Sequence, residues 1–149
     1  MDPLVAPHLS AIEDLRRQLL ETVAPLSDEQ VNRTVPGLRN SIGILLKHLF
    51  GSERYWIGEV AGGRPAHRNR DAEFASEPVR KADLLAEVER VAAQKREVLD
   101  RLTPADLVQE VEVRRTTGTV KETKTGALLH ATQHLAYHLG QIRYLAKLV

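Results

Sequence analysis

Between Ala127 and Leu148 the residues Ala127, Ala131, His134, His138, Gln141, Leu145 and Leu148 recur at alternating intervals of four and three. That spacing puts them along one seam of a helix. A helix this long is stable only when its apolar seam is packed, so the rest of the chain must supply helices of matching length. Two seam positions are His134 and His138, which stand roughly 5–6 Å apart on the helix surface. Imidazoles at that separation can share one metal ion at nitrogen–metal distances of about 2.0–2.1 Å. Two ligands alone bind weakly, and a third has to come from another part of the fold.

Three other segments carry the helical period. Residues 4–24 open near Pro3, end at Pro25 and align His8, Ile12, Leu15, Leu19 and Thr22. Asn40 or Ser41 can cap a second helix that runs to Ala61 before Gly62-Gly63 stops it, with Ser41, Leu45, His48, Ser52 and Tyr55 along its seam. A third helix over 78–102 aligns Leu84, Val88, Val91, Val98 and Leu102, interrupted by Lys95, which is expected to extend its stem toward water. Ser27-Asp28-Glu29-Gln30 and Thr103-Pro104-Ala105-Asp106 read as capped helical turns. Val111 and Val113 alternate with charged residues ahead of a turn at Thr116–Thr119, which suggests a short, mostly exposed hairpin, and Thr125 is the expected cap of the last helix.

The pattern predicts an all-α antiparallel four-helix bundle, forming a single domain over residues 1–149, with a long crossover at Gly62–Glu77 and a short β-hairpin between the third and fourth helices. Two such helices packed face to face bring His48 opposite His134 and His138. Gly43 and Gly51 each cost about 1 kcal/mol in a helix interior, so a close helix approach or room for a ligand is expected there. Tyr55 and Trp56 read as core area. Arg64, His67, Arg68 and Arg70 make the crossover basic, either as a solvated segment or as a rim for an anionic cosubstrate.

Composition narrows the chemistry. With 21 Lys+Arg against 20 Asp+Glu the net charge is +1, too small to draw the chain to nucleic acid or to an anionic membrane. The absence of cysteine removes thiolate metal sites and cysteine nucleophiles, which leaves metal binding to histidine. No apolar run reaches the roughly 18 residues of a membrane span, and Met1-Asp2-Pro3-Leu4 lacks the marks of a signal peptide, so a cytoplasmic location is expected. Carboxylates are sparse on the seams, against a ferritin-like di-iron site, and no Glu follows the first histidine of the pair as the zinc-protease pattern requires. A mononuclear three-histidine site remains. Three neutral imidazoles leave a divalent ion its full charge and an open position, the arrangement of catalytic sites. An incoming thiol bound there would become a nucleophile at neutral pH.

Ser41-Ile42 with Leu45-Leu46-x-His48-Leu49, followed by Leu128-Leu129-His130-x3-His134-x2-Tyr137-His138-x-Gly140-Gln141-Ile142, resembles the DinB/YfiT-like superfamily of bacterial four-helix bundles. The similarity covers nearly the whole chain in element order. It implies a divalent metal, zinc or nickel, held by His48, His134 and His138, with His130 outside the ligand set in a supporting or packing role. It also implies a homodimer. Several members are thiol-dependent S-transferases or isomerases that use mycothiol, bacillithiol or glutathione, so the implied partners are a small-molecule thiol and an electrophilic substrate. The alternative is a non-catalytic metal-binding or dimerising bundle linked to stress response. No catalytic residue beyond the metal ligands is singled out, and His8 and His67 are not expected to be ligands.

Overall fold

The computed structural model describes residues 1–115 and 117–149. It is mostly helical, with one two-stranded antiparallel sheet. In chain order the elements are α1 (Ala6–Val23), α2 (Asp28–Asn32), α3 (Ile42–Glu53), a π-helical segment (Arg54–Ala61), α4 (Arg70–Glu73), α5 (Lys81–Arg101), α6 (Pro104–Leu107), β1 (Glu110–Arg115), β2 (Gly118–Thr123) and α7 (Lys124–Leu145). The last helix packs against α1, α3 and the π-helical segment, while α5 packs against α1, α3 and the same segment. The core between them includes Ile12, Leu46, Leu49, Ile57, Leu99, Leu128, Leu135 and Ile142, all buried. Each such side chain contributes about 1.5–3 kcal/mol through burial.

Local chemistry explains most helix ends. Ser27 Oγ accepts from Gln30 N while the Gln30 side chain accepts from Ser27 N, a reciprocal cap on α2. Thr103 and Asp106 repeat the device on α6. Ser41 caps α3 by accepting from Ile44 N. The last helix is capped by Thr123, whose Oγ1 accepts from Gly126 N, rather than by Thr125. Strand β2 runs directly into α7, so the cap falls on the last strand residue, and the Thr125 hydroxyl donates to Leu107 O instead.

Three other expectations change. The second helix ends at Gly62 as expected, but from Arg54 it is wound as a π-helix, with Gly62 N donating to Ile57 O five residues back. Lys95 does not reach water: it is 4% exposed, and its Nζ donates to Glu53 Oε1 at 2.8 Å, because the seam of α5 faces that carboxylate on α3. In α1 the buried stripe keeps Ile12 and Leu19 of the expected line, with Leu15 packed against the core, but at its ends Leu9 and Val23 are buried in place of His8 and Thr22, which stay half-buried. The hairpin is present, with β1 and β2 pairing from Glu110↔Thr123 to Arg115↔Gly118. Thr116, the first residue of the expected turn, lies outside the described residues.

Glycine answers one question raised by α3. A Cβ on Gly51 would overlap the Glu73 carboxylate, and a Cβ on Gly43 would stand 2.8 Å from Val79 Cγ2. Both positions are therefore close approaches of the 62–80 crossover to α3. That packing buries Glu73 and carries it to the site.

Candidate metal centre

His48 comes from the middle of α3, and His134 and His138 from successive turns of α7. His48 is buried and the other two are half-buried, since the stripe of α7 that faces the core is Leu128, Ala131, Leu135, Leu139, Ile142 and Leu145. The two histidines therefore lie along the edge of that stripe rather than at its centre. Their side chains turn inward to meet His48. His48 Nε2 is 3.0 Å from His134 Nε2, which is 3.2 Å from His138 Nε2.

The outer nitrogens are held in place. His48 Nδ1 lies 2.9 Å from Glu73 Oε2, a carboxylate oxygen that can only accept, so the proton sits on Nδ1 and the Nε2 lone pair faces inward. His138 Nδ1 is likewise 2.6 Å from Gln141 Oε1. Glu73 is in turn gripped by Arg68, with Nε 2.7 Å from Oε1 and Nη2 3.0 Å from Oε2. Burial would raise the Glu73 pKa, but the hydrogen bonds from His48 and Arg68 outweigh it and hold the carboxyl below its usual range. Burial, and then the neighbouring His138 and His48, push His134 down to about 3. Burial also lowers His138.

Inward-facing lone pairs on His48 and His138 cannot both be met by one His134 proton. A cation satisfies all three. Nitrogens held at about 2.0–2.1 Å from one ion stand roughly 3.3 Å apart at a tetrahedral angle and about 2.9 Å apart at a right angle, a range that brackets the two close separations. All three donor atoms lie within 4.8 Å of one another. With the widest separation drawn in to the roughly 4.2 Å that one ion can span, the donor set fits a divalent ion of the kind that imidazole suits.

The family model of the DinB superfamily matches residues 11–142. The chain belongs to the DinB superfamily. No curated protein matches it. Among solved structures, a conserved protein from Enterococcus faecalis is similar over 100% of this DinB chain and 98% of its own, with a TM-score of 0.74 and 16% identity, a likeness of fold.

Beside the three imidazoles this DinB protein opens a cavity of about 1010 Å³, lined among others by Ser52, Tyr55, Trp56, His130, Arg68 and Arg114. Tyr55 and Trp56 supply core area as expected, Trp56 within the core and Tyr55 partly buried against it, and both also face the cavity. Trp56 is buried and packs at a tilt against His130, with ring centroids 4.0 Å and ring planes 40° apart. His130 thus stands next to His134, at 6.0 Å between centroids, but outside the three converging nitrogens. Of the basic crossover residues, His67, Arg68 and Arg70 line the cavity, whereas Arg64 turns away to bridge Glu97 on α5 at 2.7 and 3.0 Å. His8 takes no part.

Glu73 has no counterpart in the sequence reading. Its only local signal is Asn69, whose side chain caps the single turn of α4. The hairpin residues Arg114 and Arg115 also reach the cavity, carried there by a pair of hydrogen bonds: Arg114 N donates to Tyr55 Oη at 2.9 Å, and Tyr55 Oη donates to Arg114 O at 3.1 Å.

Proposed function

We propose that this protein is a metal-dependent enzyme in which His48, His134 and His138 hold one divalent ion, zinc or nickel, and a low-molecular-weight thiol or a water is activated for attack on a small electrophile. The observation that carries the reading is the convergence of three imidazole nitrogens, two of them from residues that line an open cavity, His48 and His134. An ion held by three neutral ligands retains its full charge and lowers the pKa of a thiol or water that reaches it. The chain's own residues prepare the site. Glu73 keeps the proton on His48 Nδ1 and fixes the ring plane, Gln141 does the same for His138, and burial keeps His134 neutral. Because the chain has no cysteine, a sulfur nucleophile has to arrive as a cosubstrate.

The reading treats the four longest helical segments as one antiparallel four-helix bundle forming a single domain. It assigns the cytoplasm, where thiols are kept reduced. It also takes the working unit as a homodimer, for which Tyr137, Tyr144 and Leu148 supply exposed apolar surface on and just beyond α7.

Metal analysis of protein purified without a histidine tag should find one divalent ion per chain. The metallated protein should bind glutathione, bacillithiol or mycothiol by calorimetry and accelerate its reaction with one of a panel of model electrophiles. A fully metallated protein that does neither would leave the non-catalytic metal-binding bundle in its place.

A further inference from the structure

The cavity beside the histidines carries charge that the metal reading does not use. Four arginines line it, Arg68 and Arg70 from the crossover and Arg114 and Arg115 from β1, against Glu59 on the π-helical segment. These groups are not equivalent. Arg68 is neutralised by Glu73, and Glu59 is engaged by its Oε2 accepting from Ala66 N at 2.8 Å. Arg115 lies 3.6 Å from Glu122 on the neighbouring strand and 5.3 Å above the Trp56 ring. Arg70 sits 5.6 Å over Phe74, and neither it nor Arg114 has an ion-pair partner among the described residues.

Guanidinium groups gathered at a concave surface are suited to bidentate recognition of carboxylate or phosphate. The strand that carries Arg114 and Arg115 is anchored at the cavity, since Tyr55 grips both the N–H and the carbonyl of Arg114. The rings of Trp56 and His130 share the cavity wall with them. The volume of about 1010 Å³ stands at the upper end of the roughly 300–1,000 Å³ of small-molecule sites, room for a ligand longer than the reacting group alone. A cationic ligand would meet like charge across this wall.

We propose that Arg70, Arg114 and Arg115 bind the anionic end of the small molecule on which the metal centre acts, a molecule carrying at least two negative charges as carboxylate or phosphate groups and extended enough to cross Trp56. The assignment of a reacting end rests on the metal-enzyme reading. The anion site itself does not, because guanidinium charge is independent of metal.

Trp56 is the sole tryptophan of the chain and lies in the cavity wall, so its emission reports occupancy directly. The full-length protein, as purified and after chelator treatment, is titrated at constant ionic strength with inorganic phosphate, with succinate and with choline. Phosphate or succinate should change the emission saturably in both preparations and choline should not; whichever anion binds tighter identifies the headgroup chemistry. In the double variant R114S/R115S the dissociation constant should weaken by roughly tenfold or more, and Arg70→Ser, which leaves the hairpin untouched, should weaken it in the same direction. Absence of saturation with either anion, or equal affinity in wild type and in Arg70→Ser, overturns the anion site. Anion binding in a protein that takes up no metal supports the arginine wall and defeats only the enzyme reading.

Discussion

Glu73 and His48 lie 25 residues apart in the chain, yet Glu73 Oε2 stands 2.9 Å from His48 Nδ1 in a buried contact. The carboxylate makes the ring a better donor through Nε2 and stops it from rotating. Replacing Glu73 with Ala should therefore lower divalent-metal affinity by about 10–100-fold in calorimetry, with Glu73→Gln falling between the variant and wild type. Unchanged affinity in a folded Glu73→Ala protein would reduce the carboxylate to a packing partner of Arg68.

The ligands and their neighbour should separate cleanly. His48→Ala, His134→Ala or His138→Ala should abolish stoichiometric metal, whereas His130→Ala should leave most of it, because His130 packs against Trp56 outside the converging nitrogens. Metal analysis of the four purified variants decides this. Equal loss in all four would mean that the wrong histidines of α7 were chosen.

Acid should act on the site twice. Metal affinity should drop as protons compete for the imidazole nitrogens. In the metal-free protein the folded state holds His134 at about 3 against an ordinary 6.5. As pH falls below 6.5 the unfolded chain takes up a proton there that the folded chain refuses, so folding stability declines between 6.5 and about 3. The lowered pKa values of His138 and His130 act in the same direction. The melting temperature of chelator-treated protein should be lower at about pH 5.5 than at about pH 7.5, and His134→Asn should reduce that difference.

Lys95 and Glu53 form a buried pair at 2.8 Å, with side chains 4% and 8% exposed. Removing one partner strands a charge, so Lys95→Met should destabilise the fold by about 3–5 kcal/mol in urea unfolding. The double variant with Glu53→Leu should recover most of the loss, since apolar replacements of similar volume can match a buried ion pair. A double variant as unstable as the single would point to packing rather than to the stranded carboxylate.

Tyr55 ties β1 to the π-helical segment through both backbone groups of Arg114. In Tyr55→Phe the Arg114 amide loses its acceptor, and its hydrogen exchange should quicken by about tenfold, while amides inside α7 stay protected. Unaltered exchange at Arg114 would show that the strand is held by its pairing with β2 alone.

The final helix was legible because its information is local. Spacing by three and four along α7 places His134 beside His138 whatever the rest of the chain does, and Ser41 caps α3 with a hydroxyl three residues from the N–H it accepts. The motif around those histidines likewise carried the family. Even there the register was off by a step, since α7 buries Leu135 and Leu139 and leaves the histidines at the edge; a stripe of mixed alanine, leucine and histidine does not define its own centre. Tertiary packing alone decided the rest. A crossover that reads as polar and solvated buries Glu73 because Gly51 lets it approach, and sets it against a His48 whose meeting with His134, 86 residues away, the helix seams and the family motif already implied. A charged residue looks the same in the sequence whether it faces water or a buried partner. Lys95, Glu73 and Arg114 acquired their roles only when Glu53, His48 and Tyr55, each at least 25 residues away, came within hydrogen-bond reach.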